Sequence, residues 1–168
     1  MSLLICYDGS PSARHAVAVA LETVSGVDVT LLHVWNPPVA YLADAYSDPA
    51  ARGGPSLQKL EQLSEQRARE IAGEGQRLAR AHGPEVSVRI ERAGASVWRT
   101  ILDVADELDC RLIVLGTRGL TTMQSALLGS VSGPVLHHSE RPVMIVPPPS
   151  EASAAPRRDA EQLVSEGR

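Results

Sequence analysis

Apolar positions along the chain follow two alternating periods. Leu3–Tyr7, Val29–Trp35, Val86–Glu91, Arg111–Gly116 and Pro142–Val146 are short runs rich in Val, Ile or Leu, each of strand length. Between the first two, Ala13, Ala16, Val17, Ala20 and Val24 recur at helical spacing, with Ser10 placed as an N-cap and Pro11 at the first helical position. The stripe Leu57, Leu60, Leu63, Ile71 and Leu78 predicts a second helix running to His82, with Glu65–Arg69 and Glu74–Arg77 as pairs on its solvated face. Val97, Ile101, Val104 and Leu108 mark a third helix, and Val131, Val135 and His138 a fourth.

Repeated strand–helix alternation predicts an α/β fold: one doubly wound, five-stranded parallel sheet with right-handed crossovers and helices on both faces. The third strand alternates Val86, Val88 and Ile90 with Ser87, Arg89 and Glu91, the pattern of a strand with one wet face. The first and fourth are apolar throughout and belong at the centre. Placing those two side by side gives the order 3-2-1-4-5. Its topological switch point lies between strands one and four, and ligands of open α/β sheets bind in that crevice. Function is therefore expected just after Tyr7 and just after Leu115.

Composition narrows the partners. With 168 residues and a net charge of −4, the chain has the size of one domain and lacks the basic footprint that nucleic acid or an anionic membrane requires. No run is long enough to span a membrane, and the amino terminus does not read as a signal peptide, so the expectation is a cytoplasmic protein. Of the 16 cationic side chains only Lys59 is a lysine, and Gln58 before it excludes a Walker A loop. Cys6 and Cys110 read as reduced core thiols, and no Cys or His spacing suits a metal. The folded unit is placed at residues 1–148. The 36–56 connection, with Tyr41 and Tyr46, is a long loop of the kind that is either mobile or functional, and 149–168 reads as a disordered tail.

After the fourth strand the chain reads Gly116-Thr117-Arg118-Gly119, then nine residues, then Gly129-Ser130-Val131-Ser132. Glycines let backbone N–H groups approach a phosphate, and a helix start adds unpaired donors; Ser130 would serve as N-cap and hydroxyl donor. Taken one glycine at a time, a chain turn or a helix cap is the better reading. Taken together, the pattern resembles the ATP-binding signature of universal stress proteins. Tyr7-Asp8-Gly9-Ser10, Leu32-His33-Val34, Gly94 and Arg141-Pro142-Val143 also look like features of that family. The resemblance implies ATP, with Mg²⁺ or Mn²⁺ carried by the nucleotide. Asp8 and Val34 would lie on the adenine and ribose side and Leu115 and Gly116 at the nucleoside. Gly119, Gly129, Ser130, Val131 and Ser132 would meet the ribose and phosphates, and Arg118 would screen phosphate charge. It also implies a homodimer through the last strand, where Val143–Val146 form an apolar edge. Gly133-Pro134 departs from the family pattern in the first turn of the fourth helix, where it would shift the helix start by a residue.

Other motifs carry less. Gly73-Glu74-Gly75 opens like a dinucleotide fingerprint but lies inside a helical stripe, and His137 and His138 point apart on their helix. No nucleophile elbow or carboxylate pair nominates a catalytic residue, so hydrolysis, where it occurs, is expected to be slow. The sequence thus leaves three functions: an ATP-dependent regulatory protein, a noncatalytic dimeric interaction module with little nucleotide affinity, or a slow ATPase or autophosphorylating protein.

Overall fold

The computed structural model describes residues 2–38, 56–83, 85–117 and 128–149. In chain order the elements are β1 (Ser2–Cys6), α1 (Pro11–Thr23), β2 (Asp28–Trp35), α2 (Leu57–Ala81), β3 (Ser87–Arg92), α3 (Val97–Glu107), β4 (Leu112–Gly116), α4 (Ser132–His138) and β5 (Val143–Val146). All five strands are parallel, in the order β3-β2-β1-β4-β5. Ile5 at the sheet centre is level with Leu31 of β2 on one side and Val114 of β4 on the other. The burial patterning of the strands had pointed to this order, since only a strand covered on both faces and both edges is apolar throughout.

Each face of the sheet has its own core. Leu3, Ile5, Leu31 and Val114 pack with Ala13, Ala16, Val17 and Ala20 of α1 and Ala79 of α2, whereas Leu4, Leu32, Ile113 and Leu115 pack with Ile101, Val104 and Ala105 of α3 and Val135 of α4. Period-two alternation in the strands sends neighbouring residues to opposite faces, so one apolar run feeds both layers.

Helix α2 differs from its prediction. Its buried positions are Ala68, Ala72, Gly75 and Ala79, while Leu57 and Leu63 of the leucine stripe are exposed. Small residues let the helix lie close on the sheet: a Cβ at Gly75 would sit 2.7 Å from Tyr7 Cδ1 and 2.9 Å from Leu31 Cδ1. The Gly73-Glu74-Gly75 stretch is therefore a contact surface inside an unbroken helix. Glu65 pairs with Arg69 as expected, but Glu74 turns to Arg14 of α1 instead of pairing with Arg77.

Candidate functional site

Helix α1 starts as its sequence predicts. Ser10 is the N-cap, its Oγ accepting from Ala13 N at 3.2 Å, and Pro11 enters the first turn. Before it, Asp8 Oδ1 accepts from Ser10 N at 2.9 Å and Gly9 takes φ +80°, so Asp8, Gly9 and Ser10 form a tight side-chain-closed turn. The turn is tied to the sheet at its root. Tyr7 N donates to Leu32 O at 2.8 Å, and the Tyr7 carbonyl lies 2.7 Å from Nδ1 of the buried His33. A carbonyl only accepts, so Nδ1 carries the proton. Burial holds the His33 pKa below its ordinary value, against the opposing pull of the Tyr7 carbonyl and the Asp8 carboxylate. The Tyr7 ring is buried beneath α2, and its hydroxyl donates to Glu74 Oε1 at 2.8 Å, where Arg14 Nε also donates at 2.7 Å. Burial and that bond to Glu74 push the phenol up to about 12.

Across the crevice, β4 ends at Gly116, which is pressed against the start of α1. A Cβ there would lie 2.6 Å from Ser12 Oγ and 2.8 Å from Ala13 N. Thr117 N donates to Val146 O at 2.9 Å, and the Thr117 carbonyl accepts from Gly129 N at 3.0 Å and from Ser132 Oγ at 2.9 Å. That carbonyl therefore joins the two halves of the glycine motif. Thr117 Oγ1 is buried and has no hydrogen-bond partner. Helix α4 begins at Ser132, with Val131 in the cap position and no side-chain cap bond. Ser130 is thus not the N-cap. The start has moved one residue along, which places Pro134, with no N–H to satisfy, in the first turn.

Val34 of β2, Leu115 of β4 and Val131 before α4 belong to one apolar cluster, together with Cys6 of β1 and Val97 at the start of α3. Three of the sequence-predicted site residues thus belong to the core of the α3–α4 face or pack against it, with Asp8 two residues beyond Cys6. Thr117, clasped to Gly129 and Ser132, follows β4, and the carboxylate turn at Asp8 follows β1.

The sequence of residues 1–147 matches the model described as the universal stress protein family. The chain belongs to that family. A universal stress protein of Mycolicibacterium smegmatis is 33% identical over 158 residues, covering 88% of this chain and 46% of that protein. One from Thermus aquaticus is 31% identical over 147 residues, covering 86% of this chain and 97% of that protein. The chain thus spans about half the length of the mycobacterial relative and nearly all of the Thermus one. The fold is shared with MJ0577 (TM-score 0.70, 21% identity, 89% of this chain and 96% of that one). It is also shared with universal stress proteins solved in complex with dAMP from Archaeoglobus fulgidus (TM-score 0.60, 22% identity, 87% and 97%) and with AMP from Arabidopsis thaliana (TM-score 0.62, 16% identity, 92% and 96%).

In this universal stress protein the predicted site residues that are described fall into three groups, apart from Ser130, which precedes the cap position of α4. Asp8 follows the end of β1, and Val34 and Val131 pack against the apolar cluster of the α3–α4 face. Leu115 is buried, so a ligand would meet it through its backbone alone, and Gly116 is glycine because α1 fills the space of a side chain. Gly129 and Ser132 each spend a donor on Thr117. Arg118 and Gly119, the 39–55 part of the long connection and the tail from residue 150 lie outside the described residues. Sequence reasoning missed His33 as an anchor and Thr117 as the joint of the motif. His33 carried a signal, being a polar residue inside an apolar strand; Thr117 carried none. The His137–His138 pair is a packing feature: His138 stacks on Trp98 with ring centroids 4.9 Å apart and 19° between planes. Among the described residues no helix is long and apolar enough to cross a membrane, and no cluster of His, Cys, Asp and Glu is arranged for a metal.

Proposed function

We propose that this universal stress protein binds an adenine nucleotide, ATP with Mg²⁺ or Mn²⁺ carried on its phosphates, in the crevice between the carboxyl ends of β1 and β4. One observation carries the reading: Val34 and Leu115, which the resemblance assigns to the base and nucleoside, and Val131, which it assigns to the ribose and phosphates, come from separate parts of the chain yet belong to one apolar cluster, with Asp8 two residues beyond its Cys6. The residues present fit the ligand's chemistry. Apolar walls suit the base, and a carboxylate accepts from an amino or ribose hydroxyl group while repelling phosphate, which directs the phosphates to the glycine side. There Thr117 Oγ1 is buried and unpartnered. The AMP and dAMP complexes of the structural relatives support an adenine ligand. No positioned base or nucleophile stands at the crevice among the described residues, so hydrolysis is slow and the protein acts by its bound state.

Titration calorimetry with ATP tests this. Gly129→Asp places a side chain and a negative charge among the phosphates and lowers affinity by more than about tenfold, the factor set by 1.4 kcal/mol. Ser130→Ala, which removes a hydroxyl and no cap, lowers it less. Wild-type protein that ignores millimolar ATP, or a folded Gly129→Asp variant that binds normally, overturns the site.

A specific feature also favours self-association. Within the described sheet β5 pairs only with β4, and Val143, Met144 and Ile145 are half-buried along the other edge. A homodimer pairing β5 across a two-fold axis covers that edge, and sedimentation at micromolar concentration reads it directly. A dimer without nucleotide affinity would leave the interaction-module reading.

A further inference from the structure

We propose that His33 is a positioning residue for the nucleoside end of the crevice, acting through the Tyr7 carbonyl to fix the turn that presents Asp8. β1 ends at Cys6, one residue before a carbonyl that must still be satisfied. In a continuing parallel ladder the acceptor at Tyr7 would be met by a backbone amide of β2. The imidazole of His33, from the same strand, takes that place with Nδ1 at 2.7 Å. Tyr7 N is already fixed by Leu32 O at 2.8 Å, so both backbone polar groups of Tyr7 are held by adjacent residues of β2. That sets the plane of the Tyr7–Asp8 peptide. The Asp8 carboxylate then closes on Ser10 N at 2.9 Å through Oδ1, leaving Oδ2 for a ligand hydroxyl or amino group. His33 touches no ligand itself. It helps to fix where Asp8 can be, alongside the local bonds of Ser10 that close the turn, because Gly9 is the freest residue of the turn.

The ligand arm of the test rests on the nucleotide reading; a second arm does not. His33→Phe keeps an aromatic ring in the strand and loses the donor, whereas His33→Asn keeps an N–H close to the position of Nδ1. In ligand-free protein, amide exchange at Ser10, followed by nuclear magnetic resonance, is expected to rise about tenfold in His33→Phe, the scale of one buried hydrogen bond, and to return towards the wild-type rate in His33→Asn. In the ligand arm, adenosine and ATP lose affinity in His33→Phe by the same factor, whereas Gly129→Asp weakens ATP and leaves adenosine unchanged. Should His33→Phe not fold by circular dichroism, His33→Leu against His33→Asn carries the same comparison. Wild-type exchange at Ser10 in a folded donorless variant overturns the proposal, as does an increase that His33→Asn fails to reverse. Wild-type protein that binds neither adenosine nor ATP defeats the nucleotide reading, and the exchange arm then decides the role of His33 alone.

Discussion

The turn after β1 is closed by bonds between residues two or three apart, Asp8 to Ser10 and Ser10 to Ala13, whereas the turn after β4 is closed by Thr117 reaching across the intervening segment to Gly129 and Ser132. Both follow the carboxyl ends of the neighbouring central strands, as the two lips of the proposed crevice. The first forms with the start of α1, since its donors and acceptors are neighbours in sequence. The second exists only once β4, α4 and β5 are in place. In the nucleotide reading this separates a preformed lip for the base and ribose from an adjustable lip for the phosphates, where donors now spent on the Thr117 carbonyl are exchanged for ligand oxygens.

Gly116 joins the two lips, and the largest effect is expected there. Its missing side chain is filled by Ser12 and by the Ala13 amide, and backbone at 2.8 Å cannot swing aside. Gly116→Ala should cost about 3 kcal/mol, the upper range for overpacking, read from urea denaturation. A loss below about 0.5 kcal/mol would show that α1 slides freely over β4 and that the lips are not joined. Next in size is Ser10→Ala, at the start of α1. It removes the cap of α1 and should cost about 1 kcal/mol. The loss should appear chiefly as faster amide exchange at Ala13, with exchange around Gly129 unmoved. Exchange rising equally at both lips would erase the distinction between them.

The same contrast governs what the sequence disclosed. Ser10-Pro11 is a local signal, and α1 starts where it says. The strand order was legible because burial on two faces leaves an unbroken apolar run in β1 and β4, and the crevice followed from the order. Ser130 looked like the equivalent cap for α4, yet the helix begins a residue later because Pro134 fits only where an amide hydrogen is dispensable. The stripe of α2 held at Ile71 and Leu78, which pack against the core, but misled at Leu57 and Leu63, which are exposed, for another reason. Helical spacing shows which residues share a face, but close approach to the sheet selected the alanines and Gly75 for burial. Glu74 likewise had two cations within reach, Arg77 along its own helix and Arg14 on the next, and only the packing of α1 against α2 decides between them.

A smaller effect of opposite sign is expected on the second lip. Thr117 Oγ1 is buried with no partner, and a buried unsatisfied hydroxyl costs stability that a methyl of the same shape does not. Thr117→Val should therefore stabilise the ligand-free protein, by about 1 kcal/mol in denaturant midpoint times slope, while leaving the backbone clasp on Gly129 and Ser132 intact. Destabilisation would mean that the hydroxyl is satisfied in solution and that the second lip is as complete as the first.

The smallest effect tests whether the first lip is also held from outside, through Tyr7 and Glu74. The Glu74 carboxylate accepts from Arg14 and from the Tyr7 hydroxyl, and these bonds, Arg14 first, hold its pKa below the ordinary carboxylate value. An acid whose pKa is lower in the folded than in the unfolded chain binds fewer protons when folded, so stability rises with pH across that interval. The contribution is complete above the unfolded value near 4.5 and is lost as pH falls through the folded value below it. Because the Glu74 and Arg14 side chains are 40% and 48% exposed, solvent screening limits the ion pair to about 0.5 kcal/mol. Glu74→Gln should flatten the acid limb of the stability–pH curve by that amount and leave neutral-pH exchange at Ser10 unchanged, because the carboxylate acts on the Tyr7 ring whereas His33 acts on the Tyr7 carbonyl. If Glu74→Gln loosens Ser10 as much as His33→Phe does, the ring and not the imidazole anchors the turn, and the first lip depends on α2 as deeply as the second depends on α4.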